Sequence, residues 1–339
     1  MKILVTGAAG FIGSHTLVVL LEAGHEVIAV DNFSNSNPKA LDRVREITGK
    51  DFCQHAIDIR DRAELRRVFA SQRIEAAIHF AGLKAVGESV LRPIQYYDNN
   101  LCSTIVLVET MAENGCLNLV VSSSATVYGD AKQLPLTEGA PLSSTNPYGR
   151  SKLFIEEILR DVARADSRWK IALLRYFNPV GAHPSGKIGE APNYPPNNLF
   201  PYVSQVAIGR LARLSVYGND YPTKDGTGVR DYIHVMDLAE GHLKAVTNIQ
   251  VLNGAEPINL GTGVGYSVME VIDAFEKTTG RQIAYKFAAR RPGDIAACYA
   301  DPDKARHLLG WNPSRNLLDM CRDGWRWQER NPNGYSDNT

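Results

Sequence analysis

Excess charge of either sign is missing from this chain. Its 37 lysines and arginines balance 37 aspartates and glutamates over 339 residues, which leaves no electrostatic footprint for nucleic acid or an anionic membrane surface. Any anionic ligand has to be met by a few local arginines. Cysteine is scarce and unpatterned: Cys53, Cys102, Cys116, Cys298 and Cys321 are odd in number and form no Cys-x-x-Cys pair, so neither a disulfide framework nor a zinc site is indicated. No apolar run approaches the roughly 20 residues of a membrane span. Residues 1–6 enter a strand directly, without the charged and apolar regions of a signal peptide. The expectation is a soluble cytoplasmic protein with no metal, long enough for one large domain and a smaller partner.

What is present is rhythm. β-rich runs at 3–5, 26–30, 52–57, 76–80, 119–122 and 171–175 alternate with helical patterns at 13–22, 41–48, 62–71, 100–114 and 147–165. That alternation predicts an α/β fold built on a doubly wound parallel (Rossmann) sheet with helices on both faces, over residues 1–176. After Tyr176 the texture changes to loops rich in Asn, Pro and Gly at 178–184 and 190–198, and loops this long are typically functional. A second, smaller α/β domain is expected over 177–339, with parts of 230–262, including a strand at 232–235 and a helix at 237–246, returning to the first. Gly324-Trp325-Arg326-Trp327 reads as a closing helix, and the tail from Asn331 carries no functional signal.

Directly after the first strand, Gly7, Gly10 and Gly13 stand in G-x-x-G-x-x-G spacing, a variant of the dinucleotide fingerprint. Glycines there permit the tight turn and let backbone N–H groups approach a pyrophosphate at a helix N-terminus. Alone the turn is a weak signal; a preceding strand, a following helix and Asp31 at the end of the second strand strengthen it. A carboxylate at Asp31 accepts ribose hydroxyls and repels a 2′-phosphate, favouring NAD over NADP. Asp58-Ile59, after the third strand, suits either an adenine contact or a helix N-cap.

Asn146-Pro147 supplies an N-cap and an N1 proline, so a helix starts here and sets Tyr148 and Lys152 one turn apart on one face. A free tyrosine titrates near about 10. A cation about 4 Å away at an effective dielectric of about 20 is worth about 4 kcal/mol, enough to bring the phenol near neutrality. Ser124, at the end of a sheet strand, can hold a reacting oxygen beside Tyr148 and relay its proton. A surface tyrosine-lysine pair is the commoner meaning of this spacing, but the glycine turn and strand-end serine favour a catalytic one.

These elements, in this order, resemble the extended short-chain dehydrogenase/reductase family. Longer strings, Phe80-Ala81-Gly82-Leu83-Lys84-Ala85-Val86-Gly87-Glu88-Ser89, Tyr96-Tyr97-Asp98-Asn99-Asn100, Leu174-Arg175-Tyr176-Phe177-Asn178-Pro179-Val180-Gly181 and Gly228-Val229-Arg230-Asp231-Tyr232-Ile233-His234-Val235, narrow the resemblance to its UDP-hexose 4-epimerases, from residue 1 to about 330. The resemblance implies that Tyr148 deprotonates the sugar 4-hydroxyl while hydride passes from C4 to NAD. The 4-keto sugar then turns over, and hydride returns to its other face. It also implies a cofactor lining of Gly7, Gly10, Phe11, Ile12, Gly13, Asp31, Asn32, Asp58, Ile59, Phe80, Ala81, Gly82, Lys84, Asn99, Ser124, Tyr148, Lys152, Tyr176 and Phe177. For the UDP-hexose it implies Lys84, Ser124, Tyr148, Asn178, Asn198, Leu199, Ser215, Val216, Tyr217, Arg230, Arg291, Asp294 and Cys298, and for the assembly a homodimer through the helical stretches 100–114 and 153–165.

Cys298 departs from a pattern. Family members restricted to the glucose/galactose pair often carry a tyrosine here, and a small residue resembles members that also admit N-acetylhexosamines. The same strings leave two alternatives open, a nucleotide-sugar 4,6-dehydratase and a non-catalytic NAD-binding regulator. The first wants a carboxylate near Ser124-Ala125-Thr126, where the chain has none; the second predicts a damaged catalytic set, whereas Ser124, Tyr148 and Lys152 are all present.

Overall fold

The computed structural model describes residues 1–131, 133–191, 198–291 and 293–336. Its strands in chain order are β1 (Lys2–Thr6), β2 (Glu26–Val30), β3 (Cys53–His55), β4 (Ala76–His79), β5 (Asn118–Ser124), β6 (Lys170–Tyr176) and β7 (Asn178–Val180). They continue with β8 (Leu214–Tyr217), β9 (Val229–His234), β10 (Gly254–Leu260), β11 (Gly265–Ser267), β12 (Tyr285–Ala288) and β13 (Ala297–Cys298). Among the described residues, seven of these form a parallel sheet in the order β10-β6-β5-β4-β1-β2-β3.

The strands are apolar on both faces because both faces are covered. Ile3, Val5, Val27, Ala29, Ala76, Ile78, Val120, Ala172 and Leu174 pack into one core with Leu17, Leu41, Leu238 and Ala245 of the helices Phe11–Glu22, Lys39–Thr48 and Val235–Thr247. Their alternate neighbours Leu4, Ile28, Val30, Ala77, Leu119, Val121, Ile171 and Leu173 pack into the other with Leu65, Val106 and Ile155 of the helices Arg62–Ser71, Ser103–Glu113 and Pro147–Ala165. The period-two alternation thus assigns each residue to a layer. Chain order reverses at β1, which pairs with β2 on one side and β4 on the other. The crevice beyond the carboxyl ends of these strands is where such sheets bind ligands.

Two elements differ from their sequence patterns. The third strand keeps only Cys53–His55, the residues that pair with Ile28 to Val30 at the sheet edge. The helical pattern at 100–114 opens as a π-helical turn, Asp98–Cys102, before the regular helix Ser103–Glu113. Asn100 is the reason for a fixed position there: its amide accepts from Leu83 N at 2.8 Å and donates to Leu83 O and Ser151 Oγ, both at 3.0 Å.

The second half adds β10 and the helix Val235–Thr247 to the sheet and its first core, and with its other elements builds a second core. There β9 is flanked by β11, β13 and β7, β12 pairs with β8, and Phe200, Val203, Val216, Tyr232, Val271, Phe275 and Met320 pack together. The Trp325-Arg326-Trp327 run lies in the long helix Leu317–Arg330, capped by a reciprocal Asn316/Asp319 box.

One ion pair is fully buried. Arg175 on β6 donates from Nε and Nη2 to Glu156 Oε1 and Oε2 at 2.9 and 2.6 Å, and Ser123 Oγ adds a third bond at 2.6 Å. Glu156 follows Tyr148 and Lys152 at helical spacing, so this pair fixes the rotation of the helix that carries them. Glu156→Gln strands a buried guanidinium, and urea unfolding is expected to show a loss of about 3–5 kcal/mol; a loss below about 1 kcal/mol would contradict this role.

Candidate active site

The glycine turn is shaped by close approaches. Gly7 has φ +67°, and a Cβ there would lie 2.7 Å from Ala81 N at the end of β4; at Gly13 a Cβ would lie 2.2 Å from Gly7 O. Only glycine allows β1, the end of β4 and the start of the helix Phe11–Glu22 to meet so tightly. Gly10 caps that helix without a side-chain bond, which leaves first-turn N–H groups available to an anion.

Around the turn lies a cavity of about 220 Å³ lined by Gly7, Gly10, Phe11, Ile12, Gly13, Asp31, Asn32, Asp58, Ile59, Phe80, Ala81, Gly82, Lys84, Asn99, Tyr148, Lys152 and Tyr176. Asp31 accepts from Ala9 N at 2.9 Å through Oδ2, and from Phe33 N at 2.9 Å and Ser36 Oγ at 2.8 Å through Oδ1. A carboxylate offers about four acceptor sites, so Oδ2 keeps capacity for a further donor such as a ribose hydroxyl. Asp58 is held by Arg60, through its side chain at 2.8 and 3.1 Å and its N–H at 3.0 Å, and by Asn32 at 3.2 Å. The Arg60 bonds draw its carboxyl down to about 2. The cavity fits an extended dinucleotide: a backbone cradle at one end, acceptors beyond the second and third strands, and an apolar wall of Ile12, Ile59 and Phe80.

At the other end stand the candidate reacting groups. Asn146 Oδ1 accepts from Gly149 N at 2.8 Å, and a Cβ at Gly149 would lie 3.1 Å from both Cβ and O of Thr126, so the helix starts flush against the turn that carries Ser124. Ser124 Oγ accepts from Thr126 N at 3.2 Å and Thr126 Oγ1 at 3.0 Å. With both acceptor sites taken, its own hydrogen is left for a further acceptor, and the Tyr148 phenol lies close enough for Ser124 to lower its pKa. Burial holds Tyr148 above its ordinary pKa, while the Ser124 bond and the charge of Lys84 pull it down.

Spacing alone pairs the phenol with Lys152, but the structure divides the labour. The Lys152 ammonium donates to Ser122 O at 2.7 Å and Ser122 Oγ at 3.1 Å; burial draws it down to about 8, with Glu156 opposing. Lys84 is the cation that acts on Tyr148. Its half-exposed side chain pairs with Glu190 Oε1 at 2.9 Å; desolvation lowers its pKa most, but the charge of Glu190, the hydrogen bond to it and the charge of Tyr148 together hold it above its ordinary value.

A second cavity, of about 430 Å³, is lined by Asn178, Asn198, Leu199, Ser215, Val216, Tyr217, Arg230, Arg291 and Asp294. Arg291 pairs with Asp294 at 2.8 Å and lies 4.9 Å from the Tyr217 ring centroid. Arg230 spends one donor on Val229 O at 2.8 Å, leaving most of its fork free, and its neighbour Asp231 turns away to Thr262, Gly263 and Ala300. The Glu190 oxygen that holds Lys84 also accepts from Asn198 Nδ2 at 3.3 Å, so one carboxylate ties the two cavities together.

Ser124, Phe177 and Cys298 are not among the residues lining either cavity. Ser124 reaches the site only through Tyr148, and Phe177 and Cys298 share an apolar cluster with Tyr128, Leu136 and Ala300. Burial raises the Cys298 thiol to about 11. Of the loop at 190–198, residues 192–197 lie outside the described residues, as does Pro292 beside Arg291. Sequence reasoning missed Ser34, Asn35, Ser36, Asn37, Ser103, Ser122, Glu190 and Tyr335 in the first cavity and Tyr202, Arg213, Tyr221 and Tyr232 in the second. For the serines and asparagines after Asp31 a signal existed, since the loop following the acidic strand end borders the ribose position.

A doubly wound sheet, a glycine-turn crevice at its switch point and a Tyr-x-x-x-Lys helix facing it define the class, an extended short-chain dehydrogenase/reductase. A family model described as GDP-mannose 4,6 dehydratase matches residues 4–324. The chain is 61% identical over 335 residues to UDP-glucose 4-epimerase of Bacillus subtilis (strain 168), covering 99% of each. To UDP-glucose 4-epimerase 2 of Arabidopsis thaliana it is 56% identical over 342 residues, covering 100% of this chain and 98% of that one. It matches the crystal structure of UDP-glucose 4-epimerase from Bifidobacterium longum in complex with NAD+ and UDP with a TM-score of 0.95, at 56% identity over 99% of this chain and 100% of that one. The chain belongs to the UDP-glucose 4-epimerase family.

The charge arrangement has a direct test. Lys84→Met removes the cation that lowers Tyr148, leaving the Ser124 bond alone against burial, so the phenol is expected to titrate at higher pH. Tyrosinate absorbance followed against pH, with Tyr148→Phe as the blank, reads the shift; an unchanged or lowered midpoint contradicts the assignment.

Proposed function

We propose that the chain interconverts UDP-galactose and UDP-glucose by inverting the sugar C4 hydroxyl, with NAD as its resident cofactor. The observation that carries this reading is the placement of Tyr148 and Lys152 in a dinucleotide-shaped cavity, with Ser124 beside Tyr148, that a shared carboxylate joins to a second, arginine-bearing one. In this reading residues 1–176, with parts of 230–262, hold the dinucleotide, and 177–339 hold the UDP-sugar. Gly7 to Gly13, Asp31, Asn32, Asp58, Phe80 and Lys84 hold the cofactor, which when bound supplies a hydride acceptor that can give the hydride back.

Tyr148 takes the proton from the 4-hydroxyl, and Ser124, committed as a donor by Thr126, stabilises the phenolate that must form. Lys84 favours the same phenolate electrostatically, and Lys152, pinned on Ser122, adds a fixed positive charge to the wall. At the far end the Arg230 and Arg291 forks suit a pyrophosphate, and Tyr217 offers a ring face for uracil. The 4-keto sugar turns over between half-reactions while the nucleotide stays gripped, and Tyr148 returns its proton to the inverted oxygen. A dehydratase would need a further acid at the Ser124 turn, where Ala125 and Thr126 stand.

Chromatographic product analysis of the purified protein with UDP-galactose, no NAD being added, is expected to show UDP-glucose, and Tyr148→Phe is expected to lose at least about a hundredfold in rate, the low end of general-base contributions. No conversion even with NAD supplied would overturn the activity in favour of a non-catalytic NAD-binding regulator. The resemblance of a small residue at Cys298 to family members that also admit N-acetylhexosamines extends the proposal to UDP-N-acetylgalactosamine. Cys298→Tyr is expected to suppress turnover of the N-acetylated substrate selectively, and equal loss on both substrates would refute the extension.

The proposal includes a cytoplasmic homodimer. Val90, Leu91 and Ile94 are 61, 82 and 77% exposed on the short helices Val86–Leu91 and Pro93–Tyr97, next to Phe154 at 43% on the helix Pro147–Ala165. A patch of this kind marks an interface. Light scattering should report a dimer that Leu91→Arg with Ile94→Arg converts to monomer; a monomeric parent protein would refute it.

A further inference from the structure

The first cavity draws part of its wall from near the end of the described residues. Tyr335 is 5% exposed and shares the cavity wall with Gly189, Glu190 and Ala191 and with the loop residues Ser34 to Asn37. Its hydroxyl lies 3.3 Å from both the N–H and the carbonyl of Gly189. Its ring packs on Trp327 at a centroid distance of 4.9 Å.

Arg43 completes a cage. Its guanidinium lies 5.1 Å from the Tyr335 ring centroid and 5.6 Å from that of Trp327, and donates to Asn331 Oδ1 at 2.6 Å and Lys187 O at 2.8 Å. Asn331 Nδ2 in turn donates to Gly186 O at 2.9 Å. Gly189 sits so closely on Trp327 that a Cβ there would lie 2.3 Å from its ring. Arg43 belongs to the helix Lys39–Thr48, which begins just after the loop that borders the cavity. One cationic cage therefore joins the chain end, the 186–190 segment and the cofactor-side helix.

We propose that Tyr335, held by Arg43 and Trp327, is a cofactor-retaining residue: it closes the cavity wall and sets how slowly the dinucleotide escapes. The proposal rests on the reading of this cavity as the dinucleotide site. Opening the wall between Ala191 and the Ser34 to Asn37 loop means lifting Tyr335 out of its cage, so the ring adds to the barrier for release without touching the reacting atoms. The hold includes a cation–π contribution, because the Arg43 guanidinium lies over both of the packed rings.

The test uses the full-length protein as purified. Bound NAD is quantified after gel filtration, and its release is followed by exchange with labelled NAD for the parent, Tyr335→Ala, Tyr335→Leu and Arg43→Met. Each substitution is expected to speed release by about tenfold or more, the change that corresponds to about 1.4 kcal/mol of barrier, and added NAD is expected to rescue activity lost on dilution. A folding lesion would not be rescued in that way, and Arg43→Met keeps the question answerable if Tyr335→Ala fails to fold. Release rates equal to the parent's would overturn the proposal while leaving the cavity assignment intact. A parent protein that neither carries nor binds NAD would overturn both.

Discussion

The structure depends on a backbone contact that tolerates no side chain. Strand β1 has to turn beneath the end of β4 and into a helix within a few residues, and both Gly7 and Gly13 stand where a Cβ would collide with backbone rather than with a movable side chain. Relief could come only from separating β1 from β4 or from lifting the helix off the turn. Either movement opens the crevice where chain order reverses, and with it the cradle of N–H groups. The apolar strands set how the sheet stacks, but these two hydrogens on Cα set whether its switch point is a binding site.

A second constraint runs along one helix face. Tyr148, Lys152 and Glu156 recur at four-residue intervals; Lys152 and Glu156 are anchored by the strand-end residues Ser122 and Ser123, and Tyr148 lies beside Ser124. Three consecutive serines at the end of β5 thus index the helix against the sheet, with Arg175 on β6 locking the innermost turn. The reacting phenol inherits its position from the core. Its electrostatics come from elsewhere, since burial opposes ionisation and Lys84, whose charge favours it, belongs to the loop after β4 and is balanced by Glu190 from the second half. Position and charge are therefore supplied by separate parts of the chain, and only position is encoded locally.

That separation explains how much was legible in the sequence. The central sheet could be read because its strands are buried on both sides and flanked by long amphipathic helices, giving continuous apolar runs at regular spacing. The glycine turn, Asp31 and the Tyr148/Lys152 pair could be read because their meaning lies within a few residues of one another. The two-residue strand Ala297–Cys298 and the three-residue strand Asn178–Val180 could not, because each exists only by pairing with β9, from which Asn178 stands some fifty residues away in sequence. Glu190 carries no local pattern, and its meaning arises from Lys84, 106 positions earlier. The resemblance to a family supplied the nucleotide-side residues that periodicity could not.

Tyr335 is the extreme case, an aromatic near a chain end with no motif around it. Its environment becomes intelligible only when the topology closes: the helix Leu317–Arg330 packs in the second core through Leu317, Met320 and Cys321, yet delivers Trp327 and the following residues to the helix Lys39–Thr48 of the first. A cavity walled by one unit alone could be opened by local fraying of a loop. Here part of the wall is continuous with the nucleotide-side core, so opening it requires breaking contacts in two places at once. A reaction that removes a hydride and then returns it to the same molecule needs the cofactor to remain through both halves. In the proposed reading, the second half, assigned to the UDP-sugar, also closes the wall of the cofactor cavity through Tyr335 and so meets that need.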